Sequence, residues 1–282
     1  MHRFSNRLEG SMGRIVSAAA TSHTFGAKDG CEAAVQRVCN GMAEIGKAVS
    51  GSDPHIIVVV SSDHLNHFTL DTQTSLAIGV ADDYVPLGDM GVPRQSFHGN
   101  REFAMAFADY CAGTGFDLTP VEGIKPDHGV AFPNALCNGA GRASLVPVFL
   151  NTVMNPPPSC ARGFALGKAF REFVESQRPE QERIAVVGSG GLSHWICLPR
   201  SGDVNEEWDR FVMDCLVSGR GEQLAALSRE DILRDGGNGG LEIASWAFVA
   251  GATSGATGRS VYYEPLTAWW TGMGGVLMDL NA

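Results

Sequence analysis

Three apolar runs in this chain each lead into a histidine. Residues 15–20 run into Thr21-Ser22-His23, residues 56–60 into Ser61-Ser62-Asp63-His64, and residues 184–187 through Gly188-Ser189-Gly190-Gly191-Leu192-Ser193 into His194. Runs rich in Ile, Val and Ala read as strands covered on both faces, as in a parallel sheet. Histidines at their carboxyl ends are delivered to the edge where open α/β sheets bind ligands. The glycines before His194 let the backbone turn sharply and come close to whatever sits there. A fourth histidine, His128, falls in Pro126-Asp127-His128-Gly129, which reads as a turn.

Glu242 makes these histidines informative. Its neighbours Leu241, Ile243, Ala244, Trp246, Ala247 and Phe248 are apolar, so residues 241–250 predict a helix buried nearly all round. An ionised carboxylate there is costly unless it is paired or bound to a metal. The plainer reading is an acid in a first helical turn after the Gly236-Gly237-Asn238-Gly239-Gly240 cap, favoured by the helix dipole. Taken singly, His23 and His64 read as a cap partner or a hydrogen-bonded core histidine. Taken together, two strand-end histidines and a buried acid match the ligand set that binds mononuclear Fe(II) on one face and leaves the other face open. Zinc uses the same ligand types.

Other chemistries find less support. No HExxH, GxSxG or Walker motif occurs. The segment 188–193 resembles half of a dinucleotide fingerprint, but Ser193 stands where its last glycine belongs, so no nucleotide cofactor is expected. The net charge of −10 and pI near 5.2 argue against a nucleic-acid partner. No apolar run is long enough to span a bilayer, so no membrane association is expected. Seven scattered cysteines without a CxxC pair fit free thiols in a reducing cytoplasm.

The elements that must position these residues follow from periodicity. Helical spacing runs through residues 32–49, 101–111, 161–176, 205–216 and 222–227, and further strands are expected at 74–80, 117–122 and 145–150. Residues 81–99, rich in Gly, Pro and Asp, read as a lid or binding loop. A short helix is expected to begin at Asn134, and the aromatic, glycine-rich residues 262–280 are expected to wall a pocket. The alternation predicts an α/β fold: a single domain with a mainly parallel central sheet flanked by helices, and the active site at the carboxyl ends of the strands. Residues 1–12 read as a disordered leader or cloning remnant, and residues 13–282 as the catalytic domain.

The segments Thr21-Ser22-His23, Ser62-Asp63-His64-Leu65-Asn66-His67-Phe68, Asp127-His128-Gly129, Asn155-Pro156-Pro157-Pro158, Gly188-Ser189-Gly190-Gly191-Leu192-Ser193-His194 and Leu241-Glu242 fall in the order of one family. The chain resembles the extradiol ring-cleavage dioxygenases of the protocatechuate 4,5-dioxygenase β-subunit type, which include the 2,3-dihydroxyphenylpropionate 1,2-dioxygenases. The likeness runs from about Ile15 to the C-terminus. It implies that His23, His64 and Glu242 ligate Fe(II), that His194 is the catalytic base, and that His128 is a second active-site histidine. It further implies a single-ring catechol and O2 as substrates, and a homo-oligomer or a complex with a small separate subunit.

Asp63 and Asp127, beside His64 and His128, are expected either to orient rings or to form turns. Phe25, Phe132, Trp195, Trp269 and Trp270 are candidate ring contacts, and Lys28, Arg94 and Arg162 candidate partners for a substrate carboxylate. Two other readings stay open: a non-enzymatic metal-binding relative of the same fold, and a zinc-dependent hydrolase using the same ligands.

Overall fold

The computed structural model describes residues 13–280, so the expected leader lies outside the described residues. The strands are β1 (Arg14–Thr21), β2 (Ile56–Ser61), β3 (Leu76–Gly79), β4 (Asp83–Tyr84), β5 (Phe97–His98), β6 (Thr119–Val121), β7 (Ser144–Leu150), β8 (Arg183–Ser189), β9 (Gly258–Leu266) and β10 (Thr271–Met278). Eight of them form one sheet in the order β6-β3-β7-β2-β8-β1-β10-β9, and β4 and β5 form a separate ribbon. The centre of the sheet is parallel: β7, β2, β8 and β1 run the same way. β10 joins β1 antiparallel and β9 closes that edge, while β3 pairs antiparallel with β7.

The helices are α1 (Glu32–Gly51), α2 (Arg101–Gly113), α3 (His128–Cys137), α4 (Cys160–Gln177), α5 (Glu206–Val217), α6 (Gly221–Ala225), α7 (Arg229–Asp235) and α8 (Ala244–Ala252). Period-two alternation splits the central strands between two cores. Val58, Val60 and Val186 face the layer of α2, α4, α5 and α8, whereas Ile57, Val59 and Val187 face α1 and α3. Each such side chain is fully buried and contributes roughly 1.5–3 kcal/mol over its exposed state. Among the described residues, no helix is long and apolar enough to cross a membrane. All seven cysteines are free.

One expectation is corrected and two are refined. The Pro126–Gly129 turn and the short helix expected at Asn134 are one helix, α3, whose first residue is His128. Asp127 caps it, accepting the Gly129 N–H at 3.0 Å, and packing tolerates Pro133 inside it. The segment 262–280 holds most of two paired strands, with glycines where neighbours press close: a Cβ on Gly274 would sit 2.7 Å from Leu192, and one on Gly275 2.4 Å from Tyr262. The helix carrying Glu242 begins as a 3-10 turn, Gly239–Ile243, before α8.

Candidate metal centre and active site

Because β1, β8 and β2 are neighbours in the sheet, their carboxyl ends bring His23, the glycine loop and His64 together. Glu242 enters from the 3-10 turn opposite. One carboxylate oxygen, Oε1, lies 3.1 Å from His64 Nε2, and the other, Oε2, 3.6 Å from His23 Nε2. Oε2 also accepts the Gly191 N–H at 2.8 Å. Gly190 makes this approach possible: its φ is +133°, and a Cβ there would lie 2.8 Å from both Cβ and Oε2 of Glu242.

Each strand-end histidine is held from behind. His23 Nδ1 pairs with the Ser189 hydroxyl at 2.9 Å. His64 donates from both its backbone N–H and its Nδ1 to Asp127 Oδ2, at 3.0 and 2.9 Å, and the Asn66 amide donates to the same oxygen at 3.1 Å. Asp127 therefore serves His64 and the cap of α3 at once. Asp63 instead accepts the N–H groups of Asn66, His67 and Phe68, and so is a turn-former.

His128 closes the cluster, its ring centroid 4.3 Å from that of His64 and 5.0 Å from that of His23. Ligand atoms of these three histidines lie within 4.8 Å of one another, a group able to hold a metal ion. Asp89, in the 3-10 turn Asp89–Gly91, accepts the His128 backbone N–H at 2.9 Å and Nδ1 at 2.5 Å. His194 is held by the main chain: Nδ1 donates to the Leu192 carbonyl at 2.9 Å, and its backbone N–H to the Gly236 carbonyl at 2.9 Å. This fixes the tautomer with hydrogen on Nδ1 and leaves Nε2 as an acceptor. His194 also lies within electrostatic reach of Glu242.

The electrostatics are those of a buried, anion-rich centre. Burial drives His23 down to about 3 against the pull of Glu242, so its ring is neutral. Burial acts the same way on His64, but its hydrogen bonds with Asp127 and Glu242 outweigh it and hold the ring well above the usual range. Burial pushes Glu242 upward, and the surrounding histidines reverse this and hold the carboxyl low. Among the described residues, the ion pairs of Glu242 and Asp127 are with histidines alone, with no lysine or arginine. Two imidazoles and a carboxylate at 3.1 and 3.6 Å fit a divalent ion, whose adjacent donors stand roughly 3 Å apart when each is about 2.1 Å from it. Glu242 and His128 each place a further donor beside His23 and His64.

The other candidates separate. Phe25 stacks edge-on against Phe132 at 4.2 Å and approaches Trp269 at 6.2 Å. Trp195 is buried beneath Arg200, while Trp270 is 60% exposed. Arg162 is engaged by the Phe116 ring and the Gly115 carbonyl, but Arg94 sits in the 81–99 loop with its side chain along Gly88, beside Asp89. Sequence reasoning missed Asp89, Ser189 and Asp209; their only signals were a glycine-flanked acid in the loop, a hydroxyl inside the glycine turn, and one acid among several on α5.

A parallel-centred α/β sheet gathers four histidines and a buried carboxylate at its carboxyl edge, a donor set able to hold a metal ion. The family described as the catalytic LigB subunit of aromatic ring-opening dioxygenase matches residues 18–274, and the chain belongs to it. It is thus an extradiol dioxygenase, an oxidoreductase that opens an aromatic ring. Among its relatives are proteins named 2,3-dihydroxyphenylpropionate/2,3-dihydroxicinnamic acid 1,2-dioxygenase. The one from Photorhabdus laumondii is 27% identical over 304 residues, covering 90% of this chain and 94% of that one. The one from Burkholderia vietnamiensis is 29% identical over 289 residues, covering 86% and 89%. The crystal structure of an uncharacterized protein from Escherichia coli K12 shares the fold, with a TM-score of 0.54 at 14% identity over 94% of this chain and 100% of that one.

Proposed function

We propose that this enzyme is an Fe(II)-dependent extradiol dioxygenase acting on a single-ring, carboxylate-bearing catechol. In this reading His23, His64 and Glu242 hold the iron, and His194 and His128 handle the substrate's protons. The observation that carries it is the placement of both Glu242 oxygens against Nε2 of His23 and His64, with two further histidines beside them and, among the described residues, no lysine or arginine paired to the acid.

His23, His64 and Glu242 would hold the Fe(II), which when bound would supply the electron transfer between catechol and O2 that ring opening requires. The protein's own part is to move protons and exclude water. His194 Nε2, free to accept, takes a phenolic proton as the catechol binds. His128, with Nδ1 donating to Asp89, presents Nε2 as an acceptor, which takes the second phenolic proton and returns it as the ring opens. The C–C bond beside the hydroxyl pair breaks and both oxygen atoms stay in the product, so no external reductant is consumed. The relatives' printed names favour a catechol with a carboxylate side chain, and Lys28 or Arg94 is the cation to receive it. We place the catalytic domain at residues 13–282 and the protein in the cytoplasm, as a homo-oligomer or with a small separate subunit.

The test is anaerobic loading with Fe(II), then O2 uptake and product absorbance across a panel of catechols. Uptake coupled to a yellow ring-opened product is expected; hydrolysis dependent on zinc, or metal binding with no turnover, would overturn the reading. Glu242→Ala should lose iron, whereas His194→Ala should keep it and lose about 10²–10⁴-fold in turnover. The three-histidine cluster favours a second ligand set, with His128 in place of Glu242. Iron lost from His128→Ala and retained by Glu242→Ala would select that set.

A further inference from the structure

We infer that Asp89 is a positioning residue for His128: it fixes the ring's tautomer and orientation, and does so from the 81–99 loop, so that this histidine is competent only while the loop is docked. The inference rests on the proposed role of His128. Asp89 places one carboxylate oxygen on the His128 backbone N–H and the other on ring Nδ1, at 2.9 and 2.5 Å. This two-point grip sets both the start of α3 and the rotation of the ring. Nδ1 must carry the hydrogen it donates to a carboxylate, which leaves Nε2 for the site.

The nearest carboxylate in sequence does not do this work. Asp127 spends Oδ2 on His64 and Asn66 and Oδ1 on the cap of α3. His128 is therefore served from 39 residues away in the chain. The loop is built to bring Asp89 in. Gly88 and Gly91 take φ of +80° and +78°, and Met90, between Asp89 and Gly91, is held at +48°, a conformation uncommon for a residue with a side chain. Main-chain docking accompanies the side-chain grip: the Leu87 N–H bonds the Pro126 carbonyl at 2.9 Å, and Val92 is buried.

Asp89→Ala and the isosteric Asp89→Asn test this. In ¹⁵N-histidine-labelled protein without iron, wild-type His128 should show hydrogen on Nδ1, and Asp89→Ala should shift it toward Nε2, the tautomer favoured in solution. His128→Gln assigns the resonance. Loaded with Fe(II), both variants should bind the wild-type amount of iron, keep KM near its wild-type value and lose roughly 10–100-fold in kcat, less for Asn, whose amide oxygen still accepts one of the two bonds. A His128 tautomer unchanged in Asp89→Ala, a wild-type kcat, or iron lost along with turnover would each overturn the inference. A wild-type enzyme that opens no catechol would overturn the functional reading instead, and the tautomer measurement would still decide the role of Asp89.

Discussion

The two walls of the centre are built by different means. The wall that carries His194 is held by main-chain groups and glycines: its ring is fixed by the Leu192 carbonyl, its backbone N–H by the Gly236 carbonyl, and its own carbonyl by the Gly239 N–H. The wall that carries His64 and His128 is held by carboxylates, with Asp127 behind one ring and Asp89 behind the other. A main-chain cage offers no partner to delete, yet leaves no room for an added atom. A carboxylate grip offers a partner to delete in an otherwise spacious setting. The walls should therefore fail under opposite kinds of substitution, one by addition and the other by removal.

The largest expected effect is on the main-chain wall. A Cβ at Gly239 would lie 2.0 Å from His194 Nε2, against the far end of a side chain, so in Gly239→Ala the ring gives way rather than the fold. Turnover should fall by about 10²-fold, the cost of misplacing a reacting group by an ångström, with little change in Tm. Gly237→Ala is the control: φ is +81° and the clash, at 2.3 Å, is with the His194 backbone carbonyl, so it should lower Tm. Equal turnover in wild type and Gly239→Ala would remove His194 from the chemistry. On the carboxylate wall, Asp127→Asn keeps the shape but weakens the charge behind His64, and iron affinity should fall roughly 10–100-fold. Titration with Fe(II) under anaerobic conditions measures it, and an unchanged affinity would break the comparison on that side.

What was legible in the sequence follows the same division. The β-branched core strands β2 and β8, the helix α1 and the histidines at the strand ends stand out because burial on two faces leaves a continuous apolar run. Glu242 stands out as a lone acid among apolar neighbours. The start of α3 was hidden because Gly129 and Pro133 weaken helical periodicity, although Asp127 makes the cap. β10 was hidden because its glycines, shaped by contacts from Leu192, Met213 and Tyr262, erase alternation. Asp89 could not be found from spacing, since its partner lies in another part of the chain and its own loop has no period.

Asp209 gives the smallest effect and the finest test of the main-chain wall, because it is a carboxylate buried behind that wall and away from the histidine cluster. It looks like a solvated charge beside Glu206 and Glu207 on α5, yet it is fully buried. It accepts the Ser193 N–H at 2.7 Å and the Tyr263 hydroxyl at 2.8 Å, so it steadies the loop one residue before His194. Burial pushes its carboxyl up to about 6 from the ordinary 3.8, against those two hydrogen bonds. A folded-state value above the unfolded one means the protonated form is favoured in the fold. Its stabilising contribution is thus full below about pH 4 and is lost as pH rises through 6. Asp209→Asn stays neutral throughout and retains an oxygen for the Ser193 N–H. Its stability relative to wild type should therefore climb by up to about 3 kcal/mol between pH 4 and 7, while turnover stays of the same order. Denaturant unfolding of both proteins across that range reads the difference. A flat difference would mean that Asp209 is ionised without cost, and that the His194 wall leans on charge as the other one does.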